Sequence, residues 1–215
     1  GNRGLAKAAS PPHHEPLEGP LGSVSADNNQ IQDTDMSEFE DKVVIITGAG
    51  GGLGKAHALE FAKRGAKVVV NDLGGSGDGR GASDMADAVV DEIRAAGGVA
   101  IANKASVSDR AGAKSIVDDA VAEFGTVDIL VNNAGILRDK SFKNMDLDDW
   151  DLLVDVHLNG SAYVTHAAWP IMYEKNYGRI VLTSSTSGIY GNFGQANYGA
   201  AKMGMLGLVN VLAIE

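Results

Sequence analysis

The sequence predicts a doubly wound α/β fold, a parallel sheet with helices on both faces. Three observations carry this. From Lys42 onward, short β-branched runs alternate with longer stretches of helical period. The runs are continuously apolar, as strands buried on both faces are. The first run also leads through a cluster of glycines straight into a helix.

The runs are Val43–Thr47 and residues 68–71, 99–102, 128–132 and 180–183. Helical patterns lie between them at 53–64, 83–96, 109–124, 147–174 and 197–214. Gly65 suits a left-handed C-cap for the first helix. Asp146, with Asp149 three residues on, reads as an acidic variant of the capping box opening the fourth. Pro170 is expected to kink the end of that helix.

At 215 residues the chain is long enough for one domain with a sizeable core. A net charge of −10 repels phosphate backbones, so no nucleic-acid partner is expected. No run approaches the roughly 20 apolar residues of a membrane span, so no membrane partner is expected either. The absence of cysteine excludes a disulfide framework and a thiolate zinc site and fits a reducing cytoplasm.

Residues 1–36 read as a disordered extension outside the fold, with 37–215 as the folded domain. The extension holds Pro11, Pro12, Pro16 and Pro20 in a polar stretch without periodicity. The pair His13-His14 reads as solvated, and no metal site is expected. The extension has no apolar core of a signal peptide, and Glu15, Glu18, Asp27, Asp33 and Asp35 count against a mitochondrial presequence. Met36 looks like a natural start.

The glycine cluster runs Gly48-Ala49-Gly50-Gly51-Gly52-Leu53-Gly54. Glycines there allow a tight turn and close approach of a pyrophosphate, which helix N-terminal amides bind. Asp72 stands twenty positions past Gly52 at the end of the second run. Its carboxylate suits the ribose hydroxyls of an adenosine and repels a 2′-phosphate, which favours NAD over NADP. A plain turn residue is the alternative for Asp72. Residues 74–81 carry five glycines but lack a following G-K-[ST], so a flexible loop at the adenosine edge is favoured over a second phosphate loop.

The fourth run ends in Asn132-Asn133-Ala134-Gly135 and the fifth in Thr183-Ser184-Ser185. Thirteen residues after Ser185 stands Tyr198, with Lys202 one helical turn beyond. A free tyrosine, with a pKa of about 10, is a poor base at neutral pH. A nearby ammonium and the positive nicotinamide of bound NAD⁺ stabilise its phenolate. Ser185 is placed to hold the substrate oxygen.

This ordered set resembles the short-chain dehydrogenase/reductase family over about residues 40–215, with its Rossmann-like sheet. Around Val68–Gly75, Asn132–Asp139 and Ser187–Lys202 the likeness is to its (3R)-hydroxyacyl-CoA dehydrogenase domains, found in peroxisomal multifunctional enzymes and as stand-alone bacterial proteins. The resemblance implies Ser185, Tyr198 and Lys202 as catalytic residues. It implies Gly48, Gly52, Leu53, Gly54, Asp72, Asn132 and Ala134 at NAD, with Tyr198 and Lys202 also reaching it, and a homodimer built on the last helix. Most of the wider family carries an asparagine where this chain has His157. His157 is therefore either part of the catalytic set or a satisfied core histidine.

The family also continues past Glu215 with a sixth strand, a covering helix and a seventh strand, so the C-terminal part of the domain is expected to be missing. The expected reaction is oxidation of a 3-hydroxyacyl-CoA to the 3-ketoacyl-CoA with reduction of NAD⁺. The alternatives are a hydroxysteroid or other secondary-alcohol dehydrogenase, and a non-catalytic NAD-binding fragment. The compartment is cytoplasmic, or peroxisomal if the chain belongs to a eukaryotic multifunctional enzyme.

Overall fold

The computed structural model describes residues 38–75, 77–79 and 83–215. All of them fall in one compact unit, Thr34–Glu215. The expected N-terminal extension, and parts of the glycine-rich stretch at 74–81, lie outside the described residues.

The elements are β1 (Val43–Thr47), α1 (Gly52–Lys63), β2 (Lys67–Asn71), α2 (Met85–Ala95), β3 (Val99–Asn103), α3 (Arg110–Phe124) and β4 (Ile129–Asn132). They continue with α4 (Leu147–Val154), a π turn (Asp155–Asn159), α5 (Gly160–Glu174), β5 (Arg179–Leu182), α6 (Thr186–Tyr190) and α7 (Ala196–Leu212). The five strands are parallel in the order β3-β2-β1-β4-β5.

Alternation along the strands divides the core between the two faces. Val44, Ile46, Val68 and Val70 pack with Ala58 of α1 and Val89 and Ile93 of α2. Val43, Ile45, Val69 and Leu130 pack with Ile116 and Val117 of α3 and Val164 and Ala168 of α5. A smaller cluster of Ile136, Leu153 and Ala201 lies beneath the partly buried ring of Tyr198. The chain leaves β1 toward β2 and β3, and returns on the other side to β4 and β5. That reversal opens a crevice beyond the C-terminal ends of β1 and β4, where ligands of such sheets bind.

Four details differ from expectation. The fifth strand is not buried on both faces: Arg179 and Val181, which share a face, are exposed, Val181 at 48%. The fourth helix is interrupted by the π turn. Asp146 caps α4 through the Asp148 amide at 3.1 Å, but Asp149 does not close a capping box, because its carboxylate is taken by Arg138 at 2.7 Å. The short helix α6 has no counterpart in the apolar pattern. Gly65 does take a left-handed φ of 91°, just past the C-cap Arg64.

Candidate active site

The glycine loop is built by contacts too close for side chains. A Cβ on Gly54 would lie 2.1 Å from the Gly48 carbonyl oxygen, and one on Gly48 would lie 2.7 Å from the Ala134 Cα. Helix α1 therefore starts pressed against the loop before it. Its N-cap, Gly51, supplies no side-chain hydrogen bond, which leaves the first-turn amides to be satisfied by an anion. A dinucleotide's pyrophosphate fits this cradle.

The β1 and β4 loops are laced together beneath it. Thr47 Oγ1 accepts from the amides of Asn133 at 3.0 Å and Ala134 at 3.1 Å. Asn133 Nδ2 donates to the carbonyls of Thr47 and Gly48, both at 3.1 Å. Asp72 reaches the same rim: its carboxylate accepts from Gly50 N at 2.8 Å and Gly74 N at 2.7 Å. Each oxygen keeps lone pairs for ribose hydroxyls. Leu53 stands 67% exposed at the mouth.

Asn132 faces elsewhere. It is 2% exposed, and its Nδ2 donates to Thr165 Oγ1 of α5 at 2.9 Å. Asn133, which sequence reasoning passed over, is the asparagine that holds the glycine loop. Its signal was the doubled Asn at the end of an apolar run, which does not say which of the two faces the loop.

Tyr198 and Lys202 share a face of α7, with Lys202 Nζ 5.4 Å from the centre of the Tyr198 ring. Lys202 is 2% exposed, and its ammonium donates to the Thr183 carbonyl at the end of β5, 2.5 Å away. Burial pushes its pKa down from 10.5 to about 8, so it remains mostly charged at neutral pH. Ser185 caps α6 by accepting from the Ser187 amide at 3.2 Å, which leaves its own hydroxyl proton to donate. Ser184 Oγ donates to the Lys202 carbonyl at 2.9 Å and ties this corner to α7.

His157 sits in the π turn, a rare element found mostly at functional sites. Its Nε2 lies 2.9 Å from the amide nitrogen and 2.8 Å from the carbonyl oxygen of Ile136, and its ring meets the Tyr198 ring edge-on at 5.3 Å. Gly135 makes room for it, since a Cβ there would lie 2.4 Å from the imidazole. Burial, reinforced by the Lys202 charge and opposed by the contact with Ile136, lowers its pKa from 6.5 to about 4. His157 is therefore neutral at pH 7 and packs directly against Tyr198.

Two further residues escaped the sequence reading. Arg138 joins the residue 77–79 segment to α4, and Asn197 accepts the Tyr198 amide at 2.8 Å. Neither belongs to a periodic pattern.

A family model described as short chain dehydrogenase matches residues 42–215. The chain belongs to the short-chain dehydrogenases, an oxidoreductase family that uses a nicotinamide dinucleotide. It is 62% identical over 178 residues to the peroxisomal multifunctional enzyme A of Dictyostelium discoideum, covering 82% of this chain and 40% of that protein. The structure of full-length peroxisomal multifunctional enzyme type 2 from Drosophila melanogaster superposes with a TM-score of 0.68 at 50% identity, over 82% of this chain and 28% of that one. A short-chain dehydrogenase from Mycobacterium avium gives a TM-score of 0.75 at 45% identity, over 82% and 63%. This short-chain dehydrogenase chain thus spans 40% of the amoebal enzyme's length and less of the fly enzyme's.

The neutral His157 has a pH consequence. Its folded pKa lies below its unfolded one, so its contribution to stability is complete above about 6.5 and is lost as pH falls toward 4. Thermal melts should show Tm declining through that window, and His157→Asn should flatten the decline. An unchanged acid slope in that variant would show that His157 is not its source.

Proposed function

We propose that this short-chain dehydrogenase oxidises a 3-hydroxyacyl-CoA to the 3-ketoacyl-CoA with NAD⁺ as acceptor. The observation that carries it is Tyr198, with the buried Lys202 ammonium beside it and Ser185 capping α6 just past β5, together with a glycine cradle whose rim Asp72 forms. Gly48, Gly52, Gly54 and Asp72 hold the cofactor, with Leu53 and Ala134 along it. Bound NAD⁺ supplies the hydride acceptor.

The chain's residues do the rest. Ser185 donates a hydrogen bond to the substrate oxygen and fixes it. Tyr198, as phenolate, takes the hydroxyl proton while the carbon gives up its hydride, and the C–O bond becomes a carbonyl. Lys202 favours the phenolate by its charge. His157 holds the Tyr198 ring and Ile136 in place as a neutral packing partner. Asn132 acts at one remove, fixing the end of β4 against α5.

An acyl chain suits the surroundings. Ile189, Tyr190 and Phe193 are 56%, 83% and 90% exposed on the segment between Ser185 and Tyr198. Relatives named as peroxisomal multifunctional enzymes support the substrate class and favour a peroxisomal setting over the cytoplasm. No helix among the described residues is long and apolar enough to cross a membrane.

Three outcomes follow. NAD should bind at least about tenfold more tightly than NADP, and Asp72→Ala should narrow the gap; equal affinities in calorimetric titration of the unmutated protein would contradict the Asp72 assignment. The apolar α7, with Met203 and Val211 52% and 54% exposed, should pair with a second copy across a two-fold axis. A monomer in sedimentation at micromolar concentration would refute that pairing. Finally, Tyr198→Phe in the full-length protein should lower kcat by roughly 10²-fold or more with NAD affinity unchanged. Lys202→Ala should harm both turnover and NAD binding. Near-normal turnover of Tyr198→Phe would end this mechanism.

A further inference from the structure

Helix α7 begins without the cap that its first amides need. The N–H groups of a first helical turn have no partner within the helix, and an N-cap side chain ordinarily receives one of them. Here the N-cap is Gln195, whose side chain makes no capping bond. Its Nε2 donates to Asp139 at 2.9 Å, and its Oε1 accepts from Asn192 Nδ2 at 3.0 Å. The missing bond is made from inside the helix. Asn197 Oδ1 accepts the amide of Tyr198 at 2.8 Å, and Asn197 Nδ2 donates to the Arg138 carbonyl at 3.1 Å. Asn197 is fully buried, so losing either bond leaves a polar group unpaired away from water.

The far end of this tether is itself fixed. Arg138 Nη1 pairs with Asp149 of α4 at 2.7 Å, and the arginine side chain is only 14% exposed. Two residues on, the Lys140 amide donates to the Gly194 carbonyl at 2.9 Å, and Lys140 bridges Gln195 in parallel register. Residues 138–140 and 194–197 therefore lie side by side. Of these contacts, only that of Asn197 Oδ1 reaches the backbone of Tyr198.

Resting on the reading of Tyr198 as the base, we propose that Asn197 is a positioning residue that sets the tyrosine's place by tethering its amide to the segment after β4. The phenol leaves the helix at that amide, so a loosened first turn carries it away from Lys202. Lys202 lies one turn further along and is held separately by the Thr183 carbonyl. Loss of the tether thus shifts the base relative to its cation. The glycine cradle and Asp72 belong to other elements and keep their own bonds.

Turnover of the full-length protein with NAD and a 3-hydroxyacyl-CoA tests this in Asn197→Ala, Asn197→Ser and Gln195→Ala. Serine leaves a hydroxyl in the buried gap and should fold where alanine does not, yet it is too short to span to the Arg138 carbonyl. Gln195→Ala removes a bond between the same two segments without touching the Tyr198 amide. Both Asn197 variants should lose kcat by roughly tenfold or more, as displaced reacting groups do, with NAD affinity in calorimetry unchanged. A base farther from its ammonium ionises less readily, so their rise of kcat with pH should move up by about one unit. Gln195→Ala should keep both kcat and the pH profile.

Unchanged kcat in a folded Asn197 variant overturns the proposal. So does a loss of kcat with the pH profile unmoved, or one matched by Gln195→Ala, since each marks a strap that merely holds the fold. If the unmutated protein turns over no 3-hydroxyacyl-CoA, or Tyr198→Phe turns over normally, the dehydrogenase reading itself falls, and the positioning role falls with it.

Discussion

The structure depends on a charge kept almost dry. Lys202 is 2% exposed, and one carbonyl, that of Thr183, receives its ammonium. Lowering its pKa from 10.5 to about 8 corresponds to roughly 3 kcal/mol against the charged form, a large share of a domain's net stability. A fold selected for stability alone would place a methionine there. Instead the end of β5, helix α6 and the first turns of α7 are arranged to hold the charge beside Tyr198, and the hydrogen bond from Ser184 to the Lys202 carbonyl fastens that corner.

His157 shows the same constraint from the other side. Two cations on the same Tyr198 ring, in a weakly polarisable site, would repel. Burial resolves this by keeping the imidazole neutral and the lysine charged, so at pH 7 the surroundings of Tyr198 hold one buried positive charge rather than two. The sheet supplies the rest of the frame. Because the strand order reverses at β1, the loops after β1 and β4 meet at one crevice, and Thr47 and Asn133 lace them into a single surface. The glycine cradle and the tyrosine thus come from distant stretches of sequence, yet are held to one frame.

Most of this frame was legible in the sequence because it rests on burial. The strands β1, β2 and β4 are continuous apolar runs, and a run of that kind has few options except the centre of a parallel sheet. The pairing of Tyr198 and Lys202 was legible because a helical turn fixes which side chains share a face. What escaped the reading is set by partners far away in sequence. Asn132 and Asn133 look alike in a string, but strand alternation sends one toward α5 and the other toward the glycine loop. Asp149 reads as part of a cap until Arg138 claims it. The exposed face of β5 depends on what packs over it, which an apolar run does not encode.

The π turn is the clearest of these cases, and its physical reason can be followed residue by residue. Helix α4 turns Leu153 toward Ala201 of α7, beneath the tyrosine. Helix α5 must instead face β4 and α3, with Val164 and Ala168 in the sheet's core. A straight helix cannot serve both directions, and a π turn, which widens one turn by a residue, changes the phase between them. From within it onward, His157, Ser161 and Thr165 fall four residues apart, forming a polar ridge along an otherwise apolar surface. Ser161 Oγ donates to the His157 carbonyl, and Thr165 Oγ1 receives Asn132. Both buried side-chain atoms left without a partner among the described residues lie at this ridge: His157 Nδ1 belongs to its first residue, and Asn132 Oδ1 to the β4 residue that bonds Thr165 at its other end. Unmatched polar atoms in an interior weaken a fold, so their gathering at this one ridge, against β4 and Tyr198, points to selection for the site rather than for packing.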